Sequence, residues 1–255
     1  MLNNLITIKI MKNIRIVILV LIVTFGFSFQ SCDEDGNLLL PPLGLTEAEV
    51  AQGLREALKV GTNNSVEETN IHDGYFGNPD IKIPWPQDAM GAYNYINNNS
   101  SMVLLRPLLE EVIVLMNRGA EAASEKAKPI FIDAITGITI HDAWEILNGA
   151  DNAATMYLHS RTFSSLHEAF KPDIHDALQT VGAAAIWSQI ANAYNPVANF
   201  SPGLNPLDPD LSDYATGKAL DGLFFLIAEE EYKIRKDPVA RINDILRRVF
   251  GTLDK

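Results

Sequence analysis

Residues 115–155, LMNRGAEAASEKAKPIFIDAITGITIHDAWEILNGADNAAT, determine the fold class. The stretch is rich in small residues, which allow helices to approach one another closely, and it contains most of the polar groups that we expect to be buried. Pro129, Gly137 and Gly149 divide it into short helical pieces, since proline suits a helix start and glycine a helix end. We therefore predict a helix to about Lys126, a new helix from Pro129, and a further helix capped by Asp151.

The rest of the chain extends this helical pattern in both directions. Thr46 and Glu49 have the spacing of a capping box, which predicts a helix start at residue 46. Long apolar stripes at helical spacing follow at 103–126 and 210–236, and a bend is expected at Pro172 within the helical residues 165–180. Residues 71–86 contain three prolines and two glycines, and are predicted to lie extended across the helices. The prediction is all-α: one compact multi-helix bundle over residues 46–255 with one extended proline-rich segment.

The amino terminus has the pattern of an export signal. Residues 1–31 contain three basic residues and no acidic one, and an apolar run from Ile16 to Phe29 ends just before Cys32, the one cysteine of the chain. This pattern predicts a lipoprotein signal peptide over 1–31, with Met11 an alternative start, and an acylated Cys32 with a tether over 32–45. The alternative is an uncleaved signal anchor.

The predicted location is the bacterial outer membrane, to which the acylated Cys32 would attach the domain. Acidic residues 33–35 follow the cysteine directly, and resemble the surface-export signal of Bacteroidota lipoproteins. The alternative is an acidic start of a solvated tether, so both periplasm-facing and surface-exposed orientations stay open.

Charge excludes one class of partner. Residues 32–255 carry 17 basic and 32 acidic groups, a net charge of −15, and no basic cluster interrupts them. Such a surface repels nucleic acid. The five histidines lack the spacing of a zinc or di-iron site, and there is no nucleophile elbow or phosphate-binding loop, so we predict no metal and no cofactor.

Eight polar residues are candidates for ligand contacts. We expect Arg118 either to pair with Glu121, three residues away, or to meet an anionic ligand, and we expect the acidic triplet 229–231 to form a solvated face. Asp151 is most simply a helix cap, with a polar pocket at a helix start as the alternative. The set is Asn117, Arg118, Glu121, Asp151, Thr155, Lys218, Asp221 and Glu230.

Six islands of sequence, taken together in order, resemble the family known as domain of unknown function 4197, which occurs in bacterial envelope proteins and lipoproteins. The resemblance covers about residues 46 to 250, and it implies an all-helical fold, an exported location and no assigned activity. The islands are GLREALKVGT (53–62), IKIP (81–84), MNRGAEAA (116–123), AKPIFIDAI (127–135), ILNGADNAAT (146–155) and LSDYATGKALDGLFFLIAEEE (211–231).

Three function classes remain open from the sequence. The first is a non-enzymatic envelope lipoprotein that binds a partner protein or an amphipathic molecule in a groove between the 103–126 and 210–236 helices, with Arg118, Lys218 and Asp221 as polar contacts. The second is an envelope-acting hydrolase that uses carboxylates among Asp151, Asp221 and Glu230. The third is a purely structural envelope protein.

Overall fold

The computed structural model describes residues 44–254, which are all-helical with no β-strand. The predicted signal, the acylated Cys32 and nearly all of the tether lie outside the described residues. Thr46 caps the first helix with the predicted capping box. The Thr46 hydroxyl accepts a hydrogen bond from the backbone N–H of Glu49, and the Glu49 carboxylate accepts one from the backbone N–H of Thr46. The helices are α1 (Glu47–Thr69), α2 (Met90–Asn98), α3 (Arg106–Gly137), α4 (Ala143–Leu147), α5 (Ala153–Val181), α6 (Ala183–Ala198), α7 (Ser212–Lys236) and α8 (Asp244–Phe250).

Four long helices form the core of the bundle. Helix α3 packs against α1 and α5, and α7 packs against the same two helices from the opposite side. Helices α3 and α7 are therefore diagonal partners, and meet only across the core, for example where the rings of Phe131 and Phe224 lie 5.1 Å apart. Helix α6 covers α3 and α5, while α8 covers α1.

The predicted helix boundary at Pro129 is wrong, and the helix that contains Pro172 is continuous for the same reason. Helix α3 runs unbroken through Pro129, and α5 runs unbroken from Ala153 through Pro172. Both prolines are on the exposed side of their helix. Water can therefore hydrogen-bond the carbonyl groups that a proline leaves without a donor, and each helix continues.

The proline-rich segment, residues 71–86, is non-helical as predicted. It lies between α3 and α7, because residues of both helices hydrogen-bond to it. Tyr75 is fully buried and its hydroxyl donates to the carbonyl of Ala219 in α7 at 2.8 Å, while Ile83 is fully buried against α3. At the far end of the segment, Trp85 packs against Trp187 of α6 with ring centroids 5.0 Å apart. The segment thus completes the core at one end of the bundle.

The close approach of the segment to α7 depends on a glycine. A Cβ atom at position 222 would lie 2.8 Å from a ring carbon of Tyr75 and 3.1 Å from the Cβ of Ile81. A Cβ atom at Gly217, five residues earlier on the same helix, would have only the His167 ring within 4 Å.

No described helix has both the length and the apolar composition that a membrane span requires.

Candidate functional site

Three predicted site residues fasten the proline-rich segment to α3. The side-chain amide of Asn117, which is fully buried, accepts from the N–H of Ile83 and donates to its C=O, each at 2.8 Å. These two bonds take the place of a neighbouring β-strand, which the extended residues 81–83 would otherwise need to satisfy their backbone groups. Its remaining amide hydrogen reaches the carbonyl of Ile113, also at 2.8 Å, so every bond that this side chain needs is made within the protein.

Arg118 and Glu121 pair with each other, which is one of the two arrangements expected from their spacing. Their closest atoms are 2.7 Å apart, and Arg118 also reaches the carboxylate of Asp73 at 2.6 Å. The other Glu121 oxygen accepts from the backbone N–H groups of Tyr75 and Phe76. The Arg118 guanidinium holds the pKa of the Asp73 carboxyl below its usual range. Burial raises the pKa of the Tyr75 phenol well above the usual value for a tyrosine.

Helix α3 and helix α7 do not enclose an empty groove in this part of the molecule. The segment occupies the space between them, held by Asn117 and Glu121 on one side and by Ala219 on the other. Tyr214 of α7 also donates to the carbonyl of Pro84 at 3.0 Å. Burial, and then the negative charge of Asp221, raise the pKa of Tyr214 to about 12, so its hydroxyl stays a donor.

Thr155 belongs to a buried ionic network at the other end of α7, which sequence reasoning did not find. Glu231 is fully buried and accepts from the backbone of Ala154 and from both the N–H and the hydroxyl of Thr155, at 2.7–3.0 Å. Arg235 pairs with Glu231 at 2.7 Å and donates to the carbonyl of Leu147 at 2.6 Å. Glu231 therefore caps α5 from a neighbouring helix.

Two expectations at this end are wrong. Asp151 does not cap α5; it pairs with Lys236 at 2.7 Å, because Glu231 already occupies the helix start. The acidic triplet is not a solvated face throughout, since Glu231 is buried. Glu231 lies four residues after Ile227 and three before Ile234, in phase with the apolar stripe, and this phase was the signal that could have identified it.

The remaining candidates form separate surface pairs. Lys218 and Asp221 pair at 2.9 Å with both side chains near half exposure. Glu230 pairs with Lys233 and accepts from the amide of Asn64. Positions 221 and 230 lie about 13 Å apart along the axis of α7, so the structure does not bring their carboxylates together. Within residues 44–254, no group of three or more acidic, histidine or cysteine side chains could hold a metal ion.

Two open cavities lie side by side where α2 meets the loop 199–211. The first, of about 540 Å³, has a neutral lining that includes Asn94, Asn98 and the ring of Tyr95. The second, of about 470 Å³, has an aromatic and apolar floor with Trp187 and Tyr214, and an acidic rim. The rim consists of Asp88, Asp208, Asp210 and Asp213.

The two cavities are neighbours along α2 and the loop 199–211, and together they are named the α2 cleft below. Leu204 lines the first cavity and the next residue, Asn205, lines the second, while Gly91 of the first cavity is two residues from Ala89 of the second. Both volumes fall within the range of known ligand sites. The sequence pattern alone does not identify this cleft.

These features define an all-helical bundle whose predicted polar sites are largely paired internally and which has two neighbouring open cavities beside α2. The chain belongs to the family described as protein of unknown function (DUF4197), whose family model matches residues 44–251. No curated protein and no solved structure matches the chain.

Proposed function

We propose that this protein is an exported, lipid-anchored and non-enzymatic envelope protein whose helical domain binds a partner protein or an amphipathic molecule. The anchor would be an acylated Cys32 in the bacterial outer membrane, with the domain facing the periplasm or the cell surface. The sequence pattern of residues 1–35 supports the anchor, and the family resemblance implies an exported location.

The observation that carries the binding function is the α2 cleft. It combines an aromatic and apolar floor, an acidic rim and an adjoining neutral cavity, which is the composition of a site for an amphipathic ligand or a protein segment. The predicted groove between α3 and α7 holds the chain's own segment instead. Binding is therefore proposed at the cleft, and Asn117, Arg118 and Glu121 are assigned to holding the segment.

The position of the cleft suits a tethered binding protein. The chain enters α1 near the carboxyl end of α7, since Glu47 accepts from the backbone of Ala143 in α4, and α4 in turn accepts from Arg235. The cleft involves the amino-terminal turn of α7 around Tyr214. Helix α7 has 25 residues, so the two ends are about 37 Å apart. The cleft therefore lies near the end of α7 opposite the start of α1.

The carboxylates considered for a hydrolase do not support that alternative. Asp151, Asp221 and Glu230 each pair with a different lysine and lie on separate parts of the surface. An acid and base pair needs two carboxyl groups that both reach one substrate bond.

To test the proposal, the full chain is expressed in a bacterium that exports it to the envelope, and the Cys32→Ser variant is the control. Labelled fatty acid should be incorporated into the protein, and the control should lose both the label and the membrane fraction. A photo-crosslinking residue in place of Gly91, inside the cleft, should then give a defined adduct that the same residue in place of exposed Glu168 does not give. Unlabelled protein would contradict the anchor, and identical adducts from both positions would contradict a cleft that binds.

A further inference from the structure

The protein shows how it binds an extended backbone. Asn117 of α3 forms a two-bond contact with Ile83, in which one side-chain amide accepts from the N–H and donates to the C=O of the same residue. Asn195 of α6 makes the same contact with Leu207, with distances of 2.8 and 2.9 Å. In both places an asparagine on a helix substitutes for a partner strand, and the bound residue is buried.

Two further asparagines, in the α2 cleft, have side-chain amides that are available for such a contact. Asn94 and Asn98 of α2 both line the neutral cavity, and within residues 44–254 neither side-chain amide has a hydrogen-bond partner. They are four residues apart, so they share one face of the helix. Their spacing along the axis is about 6 Å, close to the ~6.6 Å between alternate residues of an extended chain.

The neighbouring cavity adds a charge preference. Its rim carries four aspartates, of which Asp213 is paired with Lys171 at 2.9 Å. Asp88 and Asp208 are exposed on the rim, and the floor presents Trp187, whose indole N–H donates to the carbonyl of Asp208. Aromatic rings beside carboxylates favour a cation with an aliphatic stem, such as a lysine or arginine side chain.

We infer that the α2 cleft binds an extended segment of a partner protein, with Asn94 and Asn98 each contacting the backbone of alternate residues and a basic side chain entering the acidic cavity. This inference rests on the proposed binding function and names the chemistry of its partner. The affinity would come from main-chain hydrogen bonds, as in strand addition to a sheet edge, and the specificity from the acidic cavity.

The test selects binders from a random library of twelve-residue peptides against the full chain. The selected peptides should be basic and free of proline at two alternate positions, because proline has no N–H to donate. Replacing the residue at either of those positions with proline should weaken binding at least tenfold. Replacing the basic residue with glutamate should do the same, and binding of the parent peptide should weaken as salt is raised.

Matched variants assign the contacts to the cleft. Asn94→Leu and Asn98→Leu should each raise the dissociation constant about tenfold, and Asp88→Asn severalfold. Asn192→Leu, an exposed asparagine of α6 outside both cavities, should leave it unchanged. Thermal unfolding of all four variants should match the parent protein, so that a loss of binding cannot be a loss of fold.

Three results would overturn the inference. They are no enrichment of any peptide, enriched peptides that are indifferent to Asn94 and Asn98, and binding of a neutral N-acetylglucosamine hexamer at the cleft in place of peptides. In the last case the crosslinking experiment at Gly91 would still succeed, so the cleft would remain a binding site with a different ligand. If crosslinking at Gly91 fails as well, the proposed function is lost together with the inference.

Discussion

Asn117 of α3 and the pair Asn94 and Asn98 of α2 carry the same functional group in opposite situations. The amide of Asn117 is fully buried and saturated by the chain's own proline-rich segment. The amides on α2 line an open cavity instead. A polar residue on a helix is therefore structural when the protein already makes its hydrogen bonds, and available for a ligand when it does not; the residue type alone does not distinguish the two cases.

The largest effect is expected at the buried network of Glu231 and Arg235. Glu231→Gln leaves Arg235 buried without its counter-charge and weakens the cap of α5, so the free energy of unfolding should fall by about 3–5 kcal/mol. Denaturant-induced unfolding followed by circular dichroism measures it. Exposed Glu229→Gln is the control and should change stability by less than about 0.5 kcal/mol. Equal effects from the two variants would show that the network does not hold this end together.

Asn117→Leu tests the saturated amide directly. The change keeps the volume but leaves the buried N–H and C=O of Ile83 without partners, and each unmade bond costs about 1–3 kcal/mol. We expect a loss of about 2–4 kcal/mol in the same unfolding measurement. Asn94→Leu should cost less than about 0.5 kcal/mol, since its amide is exposed. The comparison fails if the two variants are equally destabilised.

Substitutions at two glycines of α7 test how closely the segment packs against this helix. Gly222→Ala places a methyl group against the Tyr75 ring and should destabilise the protein by about 1–3 kcal/mol. Gly217→Ala meets only the His167 ring, at an ordinary van der Waals distance of 3.9 Å, and should stabilise the helix by roughly 0.5–1 kcal/mol, because alanine is the better helix former. Thermal unfolding gives both signs, and a stabilising Gly222→Ala would mean that the segment does not pack there.

A smaller effect, which depends on pH, is expected from the ion pair between Arg118 and Asp73, at the start of the segment. The pKa of Asp73 is lowered by Arg118, so its contribution to stability is present above the unfolded value of 3.8 and is lost as the pH falls through the lower folded value. Asp73→Asn should therefore be less stable than the parent at neutral pH, and the difference should shrink below about pH 4. Asparagine tolerates the positive φ of 68° at this position, which isolates the charge effect. A difference independent of pH would exclude the ion pair as its cause.

Local patterns predicted the elements that depend on neighbours in sequence. The capping box at Thr46 and the Arg118–Glu121 pair could be predicted because both partners lie within one helical turn. The all-helical class and the non-helical segment followed from periodicity and prolines. The predicted helix break at Pro129 was wrong because solvent exposure, a property of the folded state, decides whether a proline ends a helix.

The unpredicted contacts join residues far apart in the chain. Glu231 caps a helix that begins 78 positions earlier, at Ala153, and Asn195 reaches across a loop to Leu207. Neither partner is determined by its own local pattern, although the helical phase of Glu231 marked it as buried. The α2 cleft was missed for the same reason, since it exists only where α2 meets the loop 199–211.

The most direct measurement is hydrogen exchange of the asparagine side-chain amides by nuclear magnetic resonance, on the free protein and with a selected basic peptide bound. The Asn117 and Asn195 amides should be protected in both states. The Asn94 and Asn98 amides should exchange rapidly in the free protein and become protected when the peptide binds. Rapid exchange at Asn117, or amides on α2 that do not respond to a bound peptide, would contradict the division between saturated and available asparagines.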